Sequence, residues 1–339
     1  MIAGQTNVSS LREGRGSIKG IGKDVGKFVV ASMKIPWDIC KDHLGAKPED
    51  VFLVESMEES ILEEALSRLA PCDTVIGIGG GMAIDAAKYI AWKRGIRLVS
   101  IPTILSVDAF VTPAAGIRRN HEVFYVGESS PDPLIIDYDI VRTAPPELNI
   151  AGIGDLLSMH TACFDWEHAN SKGKSEYEFS PKAIGMARQI LDDLNPMLGE
   201  IRNCTDKGVW SIVEGYMRLN TICLPAGHYR VEEGSEHYLF YELEERLKRA
   251  FIHGNIVGLG IYLMSRLQNN KADEIRAVMD EVGLNYHPLS MDIRSEDLHA
   301  SLLNLRNFVQ QRPNLWYTCI NDSNIQPDRI SELIKDLKF

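Results

Sequence analysis

Cysteine is sparse and scattered. Cys40, Cys72, Cys163, Cys204, Cys223 and Cys319 include no Cys-X-X-Cys pair, which excludes a thiolate zinc site and a disulfide scaffold and leaves buried thiols. Positive charge is not in excess either. The 36 Lys and Arg against 47 Asp and Glu give a net charge of -11, which excludes a nucleic-acid or anionic-membrane surface as main partner but leaves room for a local basic pocket. No apolar run approaches the roughly 20 residues of a spanning helix. The start, Met1-Ile-Ala-Gly-Gln-Thr6, lacks a charged stretch leading into an apolar one. A cytoplasmic protein with no membrane insertion and no nucleic-acid partner is expected. Internal repeats and low-complexity tracts are also missing, and 45% hydrophobic with 24% charged residues over 339 positions suits two domain-sized cores.

Against that background one stretch stands out, Asp73-Thr-Val-Ile-Gly-Ile-Gly-Gly-Gly-Met-Ala-Ile-Asp-Ala-Ala-Lys88. A β-branched run, three glycines and an Ala-rich segment read as strand, tight turn and helix N-terminus. Gly79, Gly80 and Gly81 let backbone N–H groups approach an anion, and the start of a helix adds partial positive charge. The spacing is neither Gly-X-Gly-X-X-Gly nor a P-loop, so the turn alone is equally compatible with a βα connection that binds nothing.

Around it the pattern alternates. Strands are expected at Lys27–Met33, Val51–Glu55, Thr74–Ile78 and Arg97–Ile101, with a helix at Glu58–Leu69 and another at Ala83–Arg94. Such alternation implies a parallel sheet covered on both faces, a Rossmann-like α/β nucleotide-binding domain. Pro102-Thr103 follows a strand at its carboxyl end, where open parallel sheets hold ligands, and the loop to Thr112 is polar enough to join a site. Tyr125 falls in a further candidate strand, and 131–138 returns to the sheet. After the break at Thr143-Ala-Pro-Pro-Glu147, helical periodicity runs through 155–169, 181–194, 207–223, 235–250, 253–267, 271–282, 295–308 and 326–337. The expected division is an α/β domain over 1–148 and an all-α domain over 149–339.

In the helical half, Asp155, His237 and His253 each stand at an expected helix start. One carboxylate and two imidazoles form an open site for a divalent ion. Spacing does not prove that they meet: Asp155 also reads as an N-cap, His237 as a residue of a polar turn, and His253 as a cap-region histidine beside Gly254.

Gly77-Ile-Gly-Gly-Gly81 with Ile84-Asp-Ala-Ala-Lys88, Ile101-Pro-Thr103, Ser106-Val-Asp108, Ala151-Gly-Ile-Gly-Asp155, Gly234-Ser-Glu-His237 and His253-Gly254 occur in an order and spacing that resemble the iron-containing (group III) alcohol dehydrogenase and dehydroquinate synthase superfamily, and within it the glycerol-phosphate branch. The likeness covers about residues 15 to 270. It implies the dehydroquinate synthase-like fold, NAD(P)H bound by the first half, and one Zn²⁺, Ni²⁺ or Fe²⁺ ion held by Asp155, His237 and His253. By the same resemblance Gly79, Gly80 and Gly81 hold the pyrophosphate, supported by Asp85 and Lys88. Thr103, Ser106 and Asp108 line the nicotinamide and ribose, and Asp108 also lies near the substrate, where it or a water chain past it delivers the proton; Thr112, from the polar loop, and Tyr125, from the candidate strand, are expected as cofactor contacts. Blander roles are open to four of them. Thr103 and Ser106 could satisfy loop backbone, and Asp85 with Lys88 could be a solvated helical pair. Arg230 falls where that branch has a basic residue; a guanidinium fork suits a phosphate, and a surface salt bridge is the alternative.

The sequence also departs from the pattern. Met82 follows the glycines, Val107 precedes Asp108, Asn255 follows His253-Gly254, and Met159-His160 replaces the Lys or Asn and Tyr expected to help hold substrate phosphate. His160 could supply a replacement donor. Ala31-Ser-Met-Lys34 has no acid for an adenosine ribose, and Lys34 could meet a 2′-phosphate, which makes NADPH use plausible. The resemblance implies reduction of dihydroxyacetone phosphate to sn-glycerol 1-phosphate, a step of phospholipid metabolism, by a homo-oligomer. The alternative is a glycerol (polyol) dehydrogenase. A sugar-phosphate cyclase of the dehydroquinate synthase type is disfavoured by Asp155 and Met159, and a non-catalytic nucleotide-binding protein by the intact Asp/His/His set.

Overall fold

The computed structural model describes residues 6–120 and 122–339; Met1 to Gln5, on which part of the leader reading rests, lie outside them. Two compact units emerge, one made of residues up to 149 together with 204–221, the other of 150–203 together with 222–339. The sequence reads as a single cut after 148, whereas segment 204–221 belongs to the first unit. Its contacts give the reason. The Tyr216 ring packs edge-on against Phe110 at 5.7 Å, Arg15 pairs with Asp206 at 2.9 Å, and the Asn7 N–H donates to Asn220 Oδ1 at 3.3 Å. Helical period reveals that a segment has an apolar face, not which core that face meets.

Among the described residues the first unit holds a six-stranded sheet of β1 (Leu11–Gly14), β2 (Phe28–Ser32), β3 (Asp50–Leu53), β4 (Thr74–Gly79), β5 (Arg97–Pro102) and β8 (Pro131–Asp137), in the order β1-β8-β5-β4-β2-β3. Every pairing is parallel. Val29, Val30 and Ala31 on β2, Val75, Ile76 and Ile78 on β4, and Leu134, Ile135 and Ile136 on β8 are all buried. Consecutive buried residues mean that both faces are covered, the packing a parallel sheet requires. The order places β4 between β2 and β5, so Ser32, Gly79 and Pro102 end side by side. A separate antiparallel hairpin joins β6 (Ala115–Arg119) to β7 (Glu122–Val126), of which periodicity suggested only the strand around Tyr125. Edge strand β1 was not legible either: Leu11-Arg-Glu-Gly14 is largely exposed and has no apolar signature.

The second unit is helical, with long helices Ile153–Ser171, Pro181–Leu194, Ser235–Leu247, His253–Gln268, Ala272–Val282 and Ser295–Gln310. Two of these meet at backbone contact through glycine. A Cβ on Gly254 would lie 1.6 Å from the Ala151 carbonyl oxygen, and one on Gly154 would lie 2.1 Å from the Gly254 oxygen. Only a residue without a side chain lets helices 153–171 and 253–268 begin so close together.

Candidate metal centre and nucleotide cradle

That close approach builds the centre. Asp155 is the third residue of helix Ile153–Ser171, His237 the third of Ser235–Leu247 and His253 the first of His253–Gln268. Asp155 is therefore not an N-cap, the place its position after Gly152-Ile-Gly suggested; Gly152 takes that place. Three positive helix ends converge around one carboxylate. His253 Nε2 stands 3.0 Å from Asp155 Oδ1 and His237 Nε2 stands 3.9 Å from it, and one ligand atom of each of the three residues lies within 4.8 Å of the others. Asp155 and His237 are 2% and 3% exposed, His253 has 19% of its side chain accessible, so the centre opens on the His253 side.

A divalent ion fits this donor set. Two ligands each about 2.1 Å from a common ion at the tetrahedral angle stand about 3.4 Å apart, and the separations of 3.0 and 3.9 Å bracket that value. Behind His237, Nδ1 donates to Glu236 Oε1 at 2.9 Å, which turns Nε2 toward Asp155. Burial opposes a charge on the His237 ring, but the Glu236 hydrogen bond and the carboxylates of Glu236, Glu233 and Asp155 raise its pKa to about 9. The ring thus sits in a field that attracts positive charge. Burial raises the Glu233 carboxyl while His237 and His253 pull it down.

Other residues here escaped sequence reasoning. Glu236 and Asp165 carry no periodic signal, because their partners lie far away in the chain. Tyr241, one helical turn beyond His237, has its ring 6.5 Å from the imidazole; the i, i+4 spacing was the signal available. Of two expected substrate residues, one is instead occupied by protein. His160 hydrogen-bonds through Nε2 to the Asn270 carbonyl at 2.8 Å, with burial lowering its pKa. It sits five positions after Asp155, off the ligand face, whereas Met159 is buried. Arg230 is not a surface salt bridge, and its Nε and Nη1 are buried with no hydrogen-bond partner among the described residues. It is fully buried, donates from Nη2 to the Tyr317 carbonyl at 2.9 Å and lies 5.4 Å from the Trp316 ring.

In the first unit, Gly79 adopts φ +147°, and helix Gly81–Arg94 starts with no side-chain cap. Its first amides sit at the carboxyl end of β4, suited to an anion. The Thr103 N–H donates to the Gly79 carbonyl at 2.9 Å, bringing the loop after β5 against the glycines. A Cβ on Gly80 would meet Ile104 and one on Gly81 would meet Val107, each at 2.7 Å, so Ser106 and Asp108 flank the turn. Asn149 braces this loop by accepting the Leu105 N–H at 3.1 Å and donating to the Val141 carbonyl at 2.9 Å. Asp85 and Lys88 are not a solvated pair. They meet at 2.7 Å with Lys88 2% exposed, and Lys88 Nζ also reaches the carbonyls of Thr112 at 3.3 Å and Ala114 at 2.5 Å. Burial raises the Asp85 carboxyl, opposed by Lys88. Their work is to fasten the helix to the start of the hairpin that carries Tyr125, a residue 56% exposed. Lys34, the first residue of the helix Lys34–Cys40 that follows β2, is exposed and pairs with Asp38 at 2.8 Å.

This arrangement of a parallel-sheet nucleotide cradle and a helical Asp/His/His centre has counterparts. The family model for iron-containing alcohol dehydrogenase matches residues 24–145. The chain is 30% identical over 249 residues to a glycerol-1-phosphate dehydrogenase (NAD(P)+) of Aeropyrum pernix, covering 74% of this chain and 69% of that one. The chain belongs to the iron-containing alcohol dehydrogenase family. A second relative, the glycerol-1-phosphate dehydrogenase (NAD(P)+) of Sulfurisphaera tokodaii, is 28% identical over 320 residues, covering 92% of this chain and 89% of its own. Glycerol dehydrogenase from Schizosaccharomyces pombe superposes with a TM-score of 0.70 at 20% identity, covering 97% of this chain and 88% of that one. Maleylacetate reductase from Agrobacterium tumefaciens gives 0.72 at 15%, covering 99% and 98%. These two structures establish the fold.

Proposed function

We propose that the protein is a metal-dependent NAD(P)H oxidoreductase that interconverts dihydroxyacetone phosphate and sn-glycerol 1-phosphate. The observation that carries this is the convergence of Asp155, His237 and His253 within 4.8 Å, in a chain whose relatives are named for that reaction. A divalent ion, Zn²⁺ in our reading, would polarise a ketone carbonyl and stabilise the negative charge that develops on its oxygen as hydride arrives. Asp155 supplies charge to hold the ion, His237 presents a fixed Nε2, and His253 forms the accessible edge through which a small ketone enters. Gly79 to Gly81 offer backbone amides to the pyrophosphate, Thr103, Ser106 and Asp108 the adjoining loop. Lys34 is proposed to favour NADPH. Since NAD(P)H and triose phosphates are cytoplasmic metabolites, the enzyme is placed there, and a homo-oligomer is expected by size-exclusion chromatography with light scattering.

One observation favours a second reading. His160, one of the two residues proposed for the phosphate, is engaged by the Asn270 carbonyl, which suits an unphosphorylated polyol. NADPH and NADH oxidation with dihydroxyacetone phosphate beside dihydroxyacetone, using chelator-stripped protein with and without Zn²⁺ or Ni²⁺, decides between them. Metal-restored turnover confined to the phosphorylated ketone supports the first; preference for dihydroxyacetone supports a glycerol dehydrogenase; turnover of neither removes both substrates.

A further inference from the structure

Glu236 is fully buried, and every contact it makes serves the same end. Its Oε1 accepts from His237 Nδ1 at 2.9 Å and from the Gly234 N–H at 2.6 Å, and its Oε2 accepts from Thr161 Oγ1 at 2.7 Å. One carboxylate thereby ties the ring to the turn before its own helix and to helix Ile153–Ser171, which carries Asp155. No Lys or Arg is a hydrogen-bond partner in this set, so the carboxylate is held by three hydrogen bonds and faces His237 as its charge-matched neighbour.

The surroundings lock this contact in place. Helix Ser235–Leu247 has no cap from its own N-cap residue, Gly234. Asp165 supplies the missing acceptor, taking the Ser235 N–H on Oδ2 and the Cys319 N–H on Oδ1, both at 2.8 Å. A Cβ on Gly234 would come within 2.8 Å of Asp165 Oδ2 and 2.9 Å of Glu236 Oε2, so the turn closes down on both carboxylates. Ser158 Oγ donates to the Glu232 carbonyl at 2.6 Å just before it. The start of the helix therefore cannot rotate without breaking several buried hydrogen bonds.

We infer that Glu236 is a positioning residue of the metal centre: it fixes the tautomer and rotation of His237 and strengthens Nε2 as a donor. An imidazole whose far nitrogen donates to a carboxylate is held in orientation and made more basic toward a cation. This inference rests on the metal-site reading above.

Two substitutions separate charge from orientation. In Glu236→Gln the new Oε1 still accepts from His237 and Gly234 while the amide donates to Thr161, so shape is kept and charge is lost. Glu236→Leu removes the acceptor altogether. Zn²⁺ affinity, read by competition with a chromophoric chelator, is expected to fall by about 10-fold in the first and about 100-fold in the second, with the melting temperature of stripped Glu236→Gln unchanged. Wild-type affinity in Glu236→Gln and Glu236→Leu alike, with only the melting temperature lowered, overturns the inference and leaves Glu236 a structural residue. His237→Ala separates the two levels. If wild type and His237→Ala hold Zn²⁺ equally, the metal-site reading itself fails; if only His237→Ala loses it, the reading stands and the role of Glu236 falls.

Discussion

The two working regions of this molecule are built from different materials. The cradle after β4 is mostly backbone: three glycines, an uncapped helix start, and a loop held by the Thr103 and Leu105 amides. Side chains there act as braces, as Lys88 does. The candidate metal centre is mostly side chain, with each of its three donors within the first turn of its helix and His237 held by a buried carboxylate. The difference teaches where each region is vulnerable. A backbone site is lost by changing conformation or bracing, and a side-chain site by removing one donor.

The comparison breaks most visibly at His253. His253→Ala removes the accessible ligand, and turnover is expected to fall by at least about 10³-fold, roughly 4 kcal/mol of barrier. Bound metal, counted by plasma emission after gel filtration, should fall with it while circular dichroism stays unchanged. Full activity in this variant would end the site assignment.

A second substitution sharpens the contrast from the other side. Lys88→Met leaves the Asp85 carboxyl buried without its partner, a change expected to lower stability by about 3–5 kcal/mol, read as a shift of the urea midpoint. Metal affinity should not change, because Asp85 and Lys88 belong to the other unit. The smallest effect is expected at Lys34, which is exposed and already paired with Asp38. Lys34→Ala should raise KM for NADPH by about 10-fold, about 1.4 kcal/mol, and leave KM for NADH in place. Equal changes for the two nucleotides would remove Lys34 from the 2′-phosphate.

Legibility followed the same division of materials. The alternating strands and helices of the first unit and the helix series of the second were readable because a sheet covered on both faces demands short continuous apolar runs and a packed helix imposes a period of 3.6 on local sequence. Edge strand β1 was not, since an exposed edge imposes none. Asp155, His237 and His253 were findable as residue types at helix starts, and their motifs carried the family. Glu236 and Asp165 were not, because their roles come from Thr161, Ser235 and Cys319, up to 154 positions away. His160 misled for a related reason. A polar side chain looks like a ligand group in sequence, and only packing reveals that a carbonyl of the same chain has already claimed it.

Segment 204–221 has a consequence for how such a protein can be taken apart. The chain passes between the units after 149, after 203 and after 221, so neither unit is a continuous stretch of gene. A fragment ending at Asn149 would lack the Tyr216 ring against Phe110 and the Asp206 partner of Arg15. Recombination with a single junction cannot exchange the first unit cleanly. A clean exchange of the first unit needs a junction after 149 and two more, on either side of 204–221.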